Sequence, residues 1–101
     1  MAVECMCRER EMTVTLSGEL DHHGAKQIMA RLDSRIDQEL PRQLTVDMSG
    51  VTFTDSSGIA VLLRAQRRMA QLDGSMTVIN VPVQAQRVFR AAGLYRIIRF
   101  L

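Results

Sequence analysis

Several residue types are scarce in this chain of 101 residues, and each scarcity excludes a class of protein. There is no tryptophan, and there are only four aromatic residues, two prolines and two cysteines. No apolar run approaches the roughly 20 residues of a membrane-spanning helix, and the first residues lack the apolar core of a secretory signal. Two cysteines are too few for the disulfide framework of a small secreted protein. The sequence therefore predicts a cytoplasmic, water-soluble protein without membrane contact.

The charged residues are divided unevenly along the chain. Residues 1–50 carry nine acidic and six basic side chains, a net charge of −3, whereas residues 51–101 carry two acidic and seven basic ones, a net charge of +5. The basic side chains are scattered, and four aromatic residues offer few platforms on which bases could stack. This pattern favours a solvated surface that meets acidic protein partners over a site for nucleic acid.

Apolar residues recur every two residues in some segments, as in strands, and about every 3.6 residues in others, as in helices. Cys5 and Cys7 lie on the apolar side of an alternating segment, where we expect them to be small buried hydrophobic residues. Pro41 and Gly93 are expected to end helices. The patterns predict strands over residues 3–7, 12–16, 44–48, 76–79 and 97–101, and helices over residues 25–40, 56–72 and 82–92.

This order, β-β-α-β-α-β-α-β, predicts an α/β fold with a mixed, mostly parallel sheet. Helices between successive strands imply right-handed crossovers and parallel neighbours. The short polar link over residues 8–11 can join only antiparallel neighbours, so the chain begins with a hairpin. At 101 residues, the chain is expected to form one domain around one core.

Two loops at the carboxyl ends of predicted strands are the candidate functional segments. One is Gly18–Gly24, which contains Asp21, His22 and His23, and the other is Phe53–Gly58. Ligands and partners of parallel sheets usually meet the loops at this end of the strands.

The segment Asp55-Ser56-Ser57-Gly58 has two interpretations. Asp55 or Ser56 could cap the free amides of the following helix, and Gly58 could allow close packing. The same position suits phosphorylation, because a hydroxyl in the first helical turn lies among free N–H groups at the positive end of the helix dipole. Spacing alone favours capping.

Asp21, His22 and His23 do not form a recognisable catalytic or metal site. Asp21 is well placed to cap the first helix. Adjacent histidines point in different directions and are poor joint ligands for one metal ion. Ser57 lacks a nucleophile-elbow sequence, and the chain contains no glycine-rich phosphate loop. We therefore expect no enzymatic activity, no metal and no cofactor.

Three segments carry a resemblance to a known family: Ser17–His23 (SGELDHH), Phe53–Ile59 (FTDSSGI) and Gly93–Phe100 (GLYRIIRF). At this spacing, over nearly the whole chain, they resemble the anti-sigma factor antagonists of the STAS family. The resemblance implies one STAS domain over residues 1–101. Members of the family continue into a C-terminal helix, for which a chain ending at Leu101 has no residues, and we therefore leave its oligomeric state open.

The resemblance also implies a function as a protein switch. In such systems an anti-sigma factor, which is also an ATP-dependent serine kinase, holds a sigma factor inactive. The unphosphorylated antagonist displaces the sigma factor and is phosphorylated in return, and a PP2C-type phosphatase resets it. By the family's motif, Ser57 is the phosphate acceptor. The residues expected to face the kinase are Asp21, His22, His23, Thr54, Asp55, Ser56, Ser57 and Gly58.

Two other functions are compatible with the same sequence. One is a STAS subunit of a transport or lipid-trafficking complex that does not switch. The acceptor serine followed by glycine, Ser57-Gly58, favours the switch over this alternative. The other is a small nucleotide-binding protein, which the binding of labelled GTP or ATP would reveal.

Overall fold

Helices and strands follow one another as β-β-α-β-α-β-α-β in the computed structural model, which describes residues 2–101. The elements are β1 (Ala2–Arg8), β2 (Glu11–Leu20), α1 (His22–Glu39), β3 (Gln43–Thr54), α2 (Ser56–Gln71), β4 (Ser75–Ile79), α3 (Val83–Ala91), a 3₁₀ turn (Leu94–Arg96) and β5 (Arg99–Phe100). The strand order is β1-β2-β3-β4-β5. Among the strands of residues 2–101, β1 and β2 pair antiparallel and the other neighbours pair parallel. The predicted fold class is confirmed.

One face of the sheet forms the hydrophobic core with the helices. Val14, Val46 and Val78 lie side by side in register and are almost completely buried. Ile28 of α1 and Leu62 of α2 are buried in the same cluster. In each strand a threonine comes directly before the valine. Because side chains alternate along a strand, these threonines lie on the opposite face of the sheet.

The elements begin and end for local reasons. Glu9 and Arg10 both have positive φ, 54° and 64°, and form the two-residue turn between β1 and β2. Leu40 adopts a left-handed conformation before Pro41, which ends α1 as predicted. Gly93, at φ 70°, follows α3 in the same conformation. No helix among residues 2–101 is long and apolar enough to cross a membrane.

The third strand is longer than its pattern predicts. The apolar alternation breaks at Ser49 and Gly50, yet β3 continues to Thr54. The pairing with β2 shifts register at this point, which marks a β-bulge. The Asp47 carboxylate accepts a hydrogen bond from the Ser49 amide at 2.9 Å and stabilises the irregular backbone. The predicted break is therefore a bulge, and the strand reaches the candidate site.

The cysteines are less buried than the sequence suggests. Cys5 and Cys7 lie on the core side of β1, as the alternation predicts, but both are only half-buried. The reason is their place on β1, which within residues 2–101 is an edge strand with β2 on one side. The structure therefore corrects the prediction of buried cysteines to half-buried ones.

Candidate functional site

Two strand-to-helix junctions meet at the carboxyl end of the central strands. Leu20, the last residue of β2, is the register partner of Thr54, the last residue of β3. One residue follows each strand before a helix begins: Asp21 precedes α1 and Asp55 precedes α2. The Asp55 amide donates to the Leu20 carbonyl at 3.4 Å. The parallel register therefore brings the two predicted loops together, as adjacent junctions of one residue each.

The first junction begins α1 earlier than the sequence predicts. The helix starts at His22 rather than at residue 25, because the Asp21 carboxylate accepts a hydrogen bond from the Gly24 amide at 2.8 Å and caps the first turn. This bond holds the pKa of Asp21 below its ordinary value. His22 and His23 are exposed in the first turn. The capping interpretation of Asp21 is confirmed.

The second junction has the same design. The Asp55 carboxylate accepts a hydrogen bond from the Ser57 amide at 2.7 Å and is the N-cap of α2. Ser56 is exposed and Ser57 is half-buried, and both lie in the first helical turn. A group on the Ser57 hydroxyl would therefore lie at the positive end of the helix dipole.

Thr54 and Gly58 lie beneath this surface. The Thr54 side chain is completely buried, and its hydroxyl lies 3.3 Å from the Leu20 carbonyl and 3.0 Å from the Asp55 carbonyl. A Cβ atom on Gly58 would lie 2.2 Å from the Thr54 hydroxyl oxygen, which only a glycine avoids. These two residues, both expected to face a partner, are in positions that support the junction from below.

A further site residue comes from a distant part of the chain. The Gln84 side chain, in the first turn of α3, accepts from the Thr54 amide at 2.9 Å and donates to the Thr54 carbonyl at 2.8 Å. It takes the place of a neighbouring strand, because β4 pairs with β3 only as far as Asp47. Sequence reasoning missed Gln84, because a glutamine 30 residues downstream gives no local signal of this contact.

The surface around the junctions is open. Residues 2–101 form no pocket, and no group of three metal-ligating side chains among them could hold a metal ion. The Asp21 carboxylate accepts a hydrogen bond from the Gly24 amide, and the His23 ring contacts the Gln27 side chain at 3.5 Å. Phe53, 44% exposed, adds an apolar side chain next to the second junction. The arrangement suits docking of a protein that reaches Ser57.

The fold and these paired junctions define a STAS domain. The model of the family described as "Mlab, STAS domain" matches residues 7–99. The chain belongs to this family.

Within the family, the chain is similar to anti-sigma F factor antagonists. It is 32% identical over 92 residues to the anti-sigma F factor antagonist of Lysinibacillus sphaericus, covering 91% of this chain and 78% of that protein. The antagonist of Paenibacillus polymyxa is 31% identical over 86 residues, which are 85% of this chain and 74% of that protein. The resemblance inferred from the sequence is confirmed.

Solved structures show the same likeness. The unphosphorylated form of the anti-sigma factor antagonist SpoIIAA superposes with a TM-score of 0.77 at 25% identity, over 99% of this chain and 87% of that one. SpoIIAA from Bacillus in its phosphorylated form gives a TM-score of 0.76 at 27% identity, over 99% of this chain and 91% of that one.

Proposed function

We propose that this protein is an anti-sigma factor antagonist that acts in the cytoplasm as a switch. Its unphosphorylated form binds an anti-sigma factor that is also a serine kinase, and so releases a sigma factor. The kinase then phosphorylates Ser57, which ends the binding, and a PP2C-type phosphatase restores it. The protein has no catalytic activity of its own.

The observation that carries this proposal is the position of Ser57. Its side chain is half-buried at an open surface, in the first turn of a helix whose capping residue, Asp55, is already satisfied. A kinase can therefore reach the hydroxyl without unfolding the junction. The names of the curated relatives and the phosphorylated form of SpoIIAA support the same conclusion.

The proposed binding surface combines the exposed parts of both junctions. Asp21, His22 and His23 contribute from the first junction, and Asp55, Ser56 and Ser57 from the second. Thr54 and Gly58 shape this surface from below. Asp21 offers a negative charge, so a cation on the kinase is its expected partner.

Phosphate at Ser57 ends the binding locally in this mechanism. The added charge, about −1.5 to −2, meets the positive end of α2, an interaction worth roughly 0.3–1 kcal/mol in favour of the fold. A partner surface shaped for a bare hydroxyl cannot take up that charge, and the neighbouring Asp55 adds a like charge. Abolishing a micromolar complex takes only a few kcal/mol, which one poorly compensated anion supplies.

The first experiment maps the phosphate. The protein is incubated with ATP and candidate anti-sigma factor kinases from its source, and phosphopeptides are identified by mass spectrometry. We expect phosphate on Ser57, none on Ser57→Ala, and unchanged labelling of the matched control Ser56→Ala. Ser57→Ala should still bind the kinase and act as a permanent antagonist. Phosphate on Ser56 would overturn the assignment, and absence of kinase binding would favour a non-switching STAS subunit.

The second experiment separates capping from recognition at Asp21. Asparagine caps helices about as well as aspartate, so Asp21→Asn should leave the melting curve almost unchanged. If Asp21 pairs with a cation of the kinase, the same variant should bind about tenfold or more weakly. Unchanged binding would leave Asp21 with a structural role only.

The third experiment tests whether the switch is local. We expect phosphorylated protein, and more weakly Ser57→Asp, to lose kinase affinity. Amide chemical shifts far from residues 21–24 and 54–60 should stay unchanged. Shift changes spread across the whole sheet would contradict a local switch and indicate a global conformational change.

A further inference from the structure

β1 lies at one edge of the described sheet, with its outer side facing away from β2. β1 is the first strand of the sheet and pairs with β2 through all seven residues without a register shift. Over residues 2–101, the sheet contains no strand beyond β1. The strand has no lysine, proline or bulge, and its two charged side chains, Glu4 and Arg8, have opposite signs.

The turn geometry shows which backbone groups face this open edge. Arg8 and Glu11 close a two-residue turn, so they form a hydrogen-bonded pair. Because such pairs alternate with non-bonded ones, the N–H and C=O groups of Met6 also point towards β2. The N–H and C=O groups of Cys5 and Cys7 therefore point away from β2 and can form hydrogen bonds with another strand.

The sequence of this edge is complementary to itself. An antiparallel second copy related by a two-fold axis at Met6 places Cys5 opposite Cys7 of the other copy, so the outward-pointing groups meet each other. It also places Glu4 of each copy opposite Arg8 of the other copy, so that the dimer contains two such pairs. Opposite charges in such cross-strand positions stabilise a sheet. Met6, which is 76% exposed, lies on the axis and is covered by Met6 of the second copy.

We propose that β1 is a dimerisation edge, on which two copies of this chain pair antiparallel about Met6 and join their sheets into one. Two neighbouring registers that match the outward-pointing groups lack this complementarity. An axis at Glu4 opposes two glutamates, and an axis at Cys5 places Glu4 against Met6. The dimer leaves the junctions of Asp21 and Ser57 outside the β1 interface, so the proposal does not depend on the proposed function.

The first test changes the charge pair. Sedimentation equilibrium measures the dimer dissociation constant of the wild type and of three variants. Glu4→Arg places like charges across the axis twice and should weaken the dimer by about tenfold or more. The exchange Glu4→Arg with Arg8→Glu should restore dimerisation. Glu19→Arg, the same change of charge outside β1, should have no effect, and melting curves verify that each variant is folded.

The second test uses the cysteines to read the register. Diamide takes the two thiol hydrogens when a disulfide forms, and cross-linked dimers are counted on a non-reducing gel. Cys5→Ser alone and Cys7→Ser alone should not cross-link, whereas a mixture of the two variants should, through Cys7 of one and Cys5 of the other. A monomer at all concentrations, no effect of Glu4→Arg, or cross-linking of Cys7→Ser alone would overturn the proposal.

Discussion

The two junctions at the carboxyl end of the sheet have one backbone design and different chemistry. Each consists of a strand, one capping aspartate, two polar residues of the first helical turn and a buried glycine, Gly24 or Gly58. The first junction carries two histidines in its first turn and the second carries two serines. The shared residues account for the fold of both junctions, so the junctions differ chemically in the paired side chains between aspartate and glycine.

The second junction is also held more firmly. Gly58 packs directly on Thr54, and Gln84 bonds both polar groups of the Thr54 peptide. The first junction has no equivalent of the Gln84 contact among residues 2–101. Such fixed geometry favours the phosphate acceptor proposed above, because less motion has to be frozen when a kinase binds.

Exchanging the paired side chains should have the largest effect. The double variant Ser56→His with Ser57→His should keep its fold, since the capping aspartate remains, and should lose phosphorylation completely. His22→Ser with His23→Ser should still be phosphorylated on Ser57 and gain no phosphate at position 23. Circular dichroism and phosphopeptide mass spectrometry give the two readouts. Phosphate at position 23 would mean that the junctions are equivalent to the kinase.

Adding a side chain at Gly58, which packs directly against Thr54, should have the next largest effect. Gly58→Ala places a methyl group 2.2 Å from the Thr54 hydroxyl oxygen. We expect the free energy of unfolding to fall by about 1–3 kcal/mol, as for other overpacked sites. Because Thr54→Ala removes that oxygen, the double variant should cost less than the sum of the two single changes. Strict additivity in urea denaturation would show that the two residues do not press on each other.

Removing the Gln84 contact should have a similar or slightly smaller effect. Gln84→Leu leaves the Thr54 amide and carbonyl without their partner, and we expect a loss of about 1–2 kcal/mol in unfolding free energy. Gln27→Leu, an exposed glutamine near the first junction, is the matched control and should change stability by less than about 0.5 kcal/mol. Equal losses of unfolding free energy in the two variants would contradict the conclusion that the second junction is held more firmly than the first.

The pH dependence of the Asp21 cap should be the smallest effect. The Gly24 amide lowers the pKa of Asp21 from its ordinary value of 3.8. The cap therefore adds stability above pH 3.8, and this contribution is lost as the pH falls through the lower pKa of the folded protein. Asp21→Asn lacks this titration, so the difference between the melting temperatures of wild type and variant should change below pH 3.8 and stay constant above it. A difference that is constant down to pH 2 would contradict the prediction.

Local patterns were sufficient for most of the fold. The alternation in β2, the short strand segment of β4, the apolar stripe of α1 and the stops at Pro41 and Gly93 correspond to structural features near the predicted positions. The predictions failed where a tertiary contact outweighed the local signal. Ser49 and Gly50 indicate a break, but β3 continues past them because it stays paired with β2 through a β-bulge.

The sequence by itself determined the order of the elements and the chemistry of the candidate site. Apolar periodicity decides which segments bury a face, and the Asp-Ser-Ser-Gly segment carries a capping group and hydroxyls wherever it lies. Only the tertiary structure decided that Asp21 lies beside Asp55, that Thr54 is buried and that Gln84 supports the site. The physical reason is that these contacts join residues some 30 positions apart, and strand register and helix packing, rather than local propensity, bring such residues together.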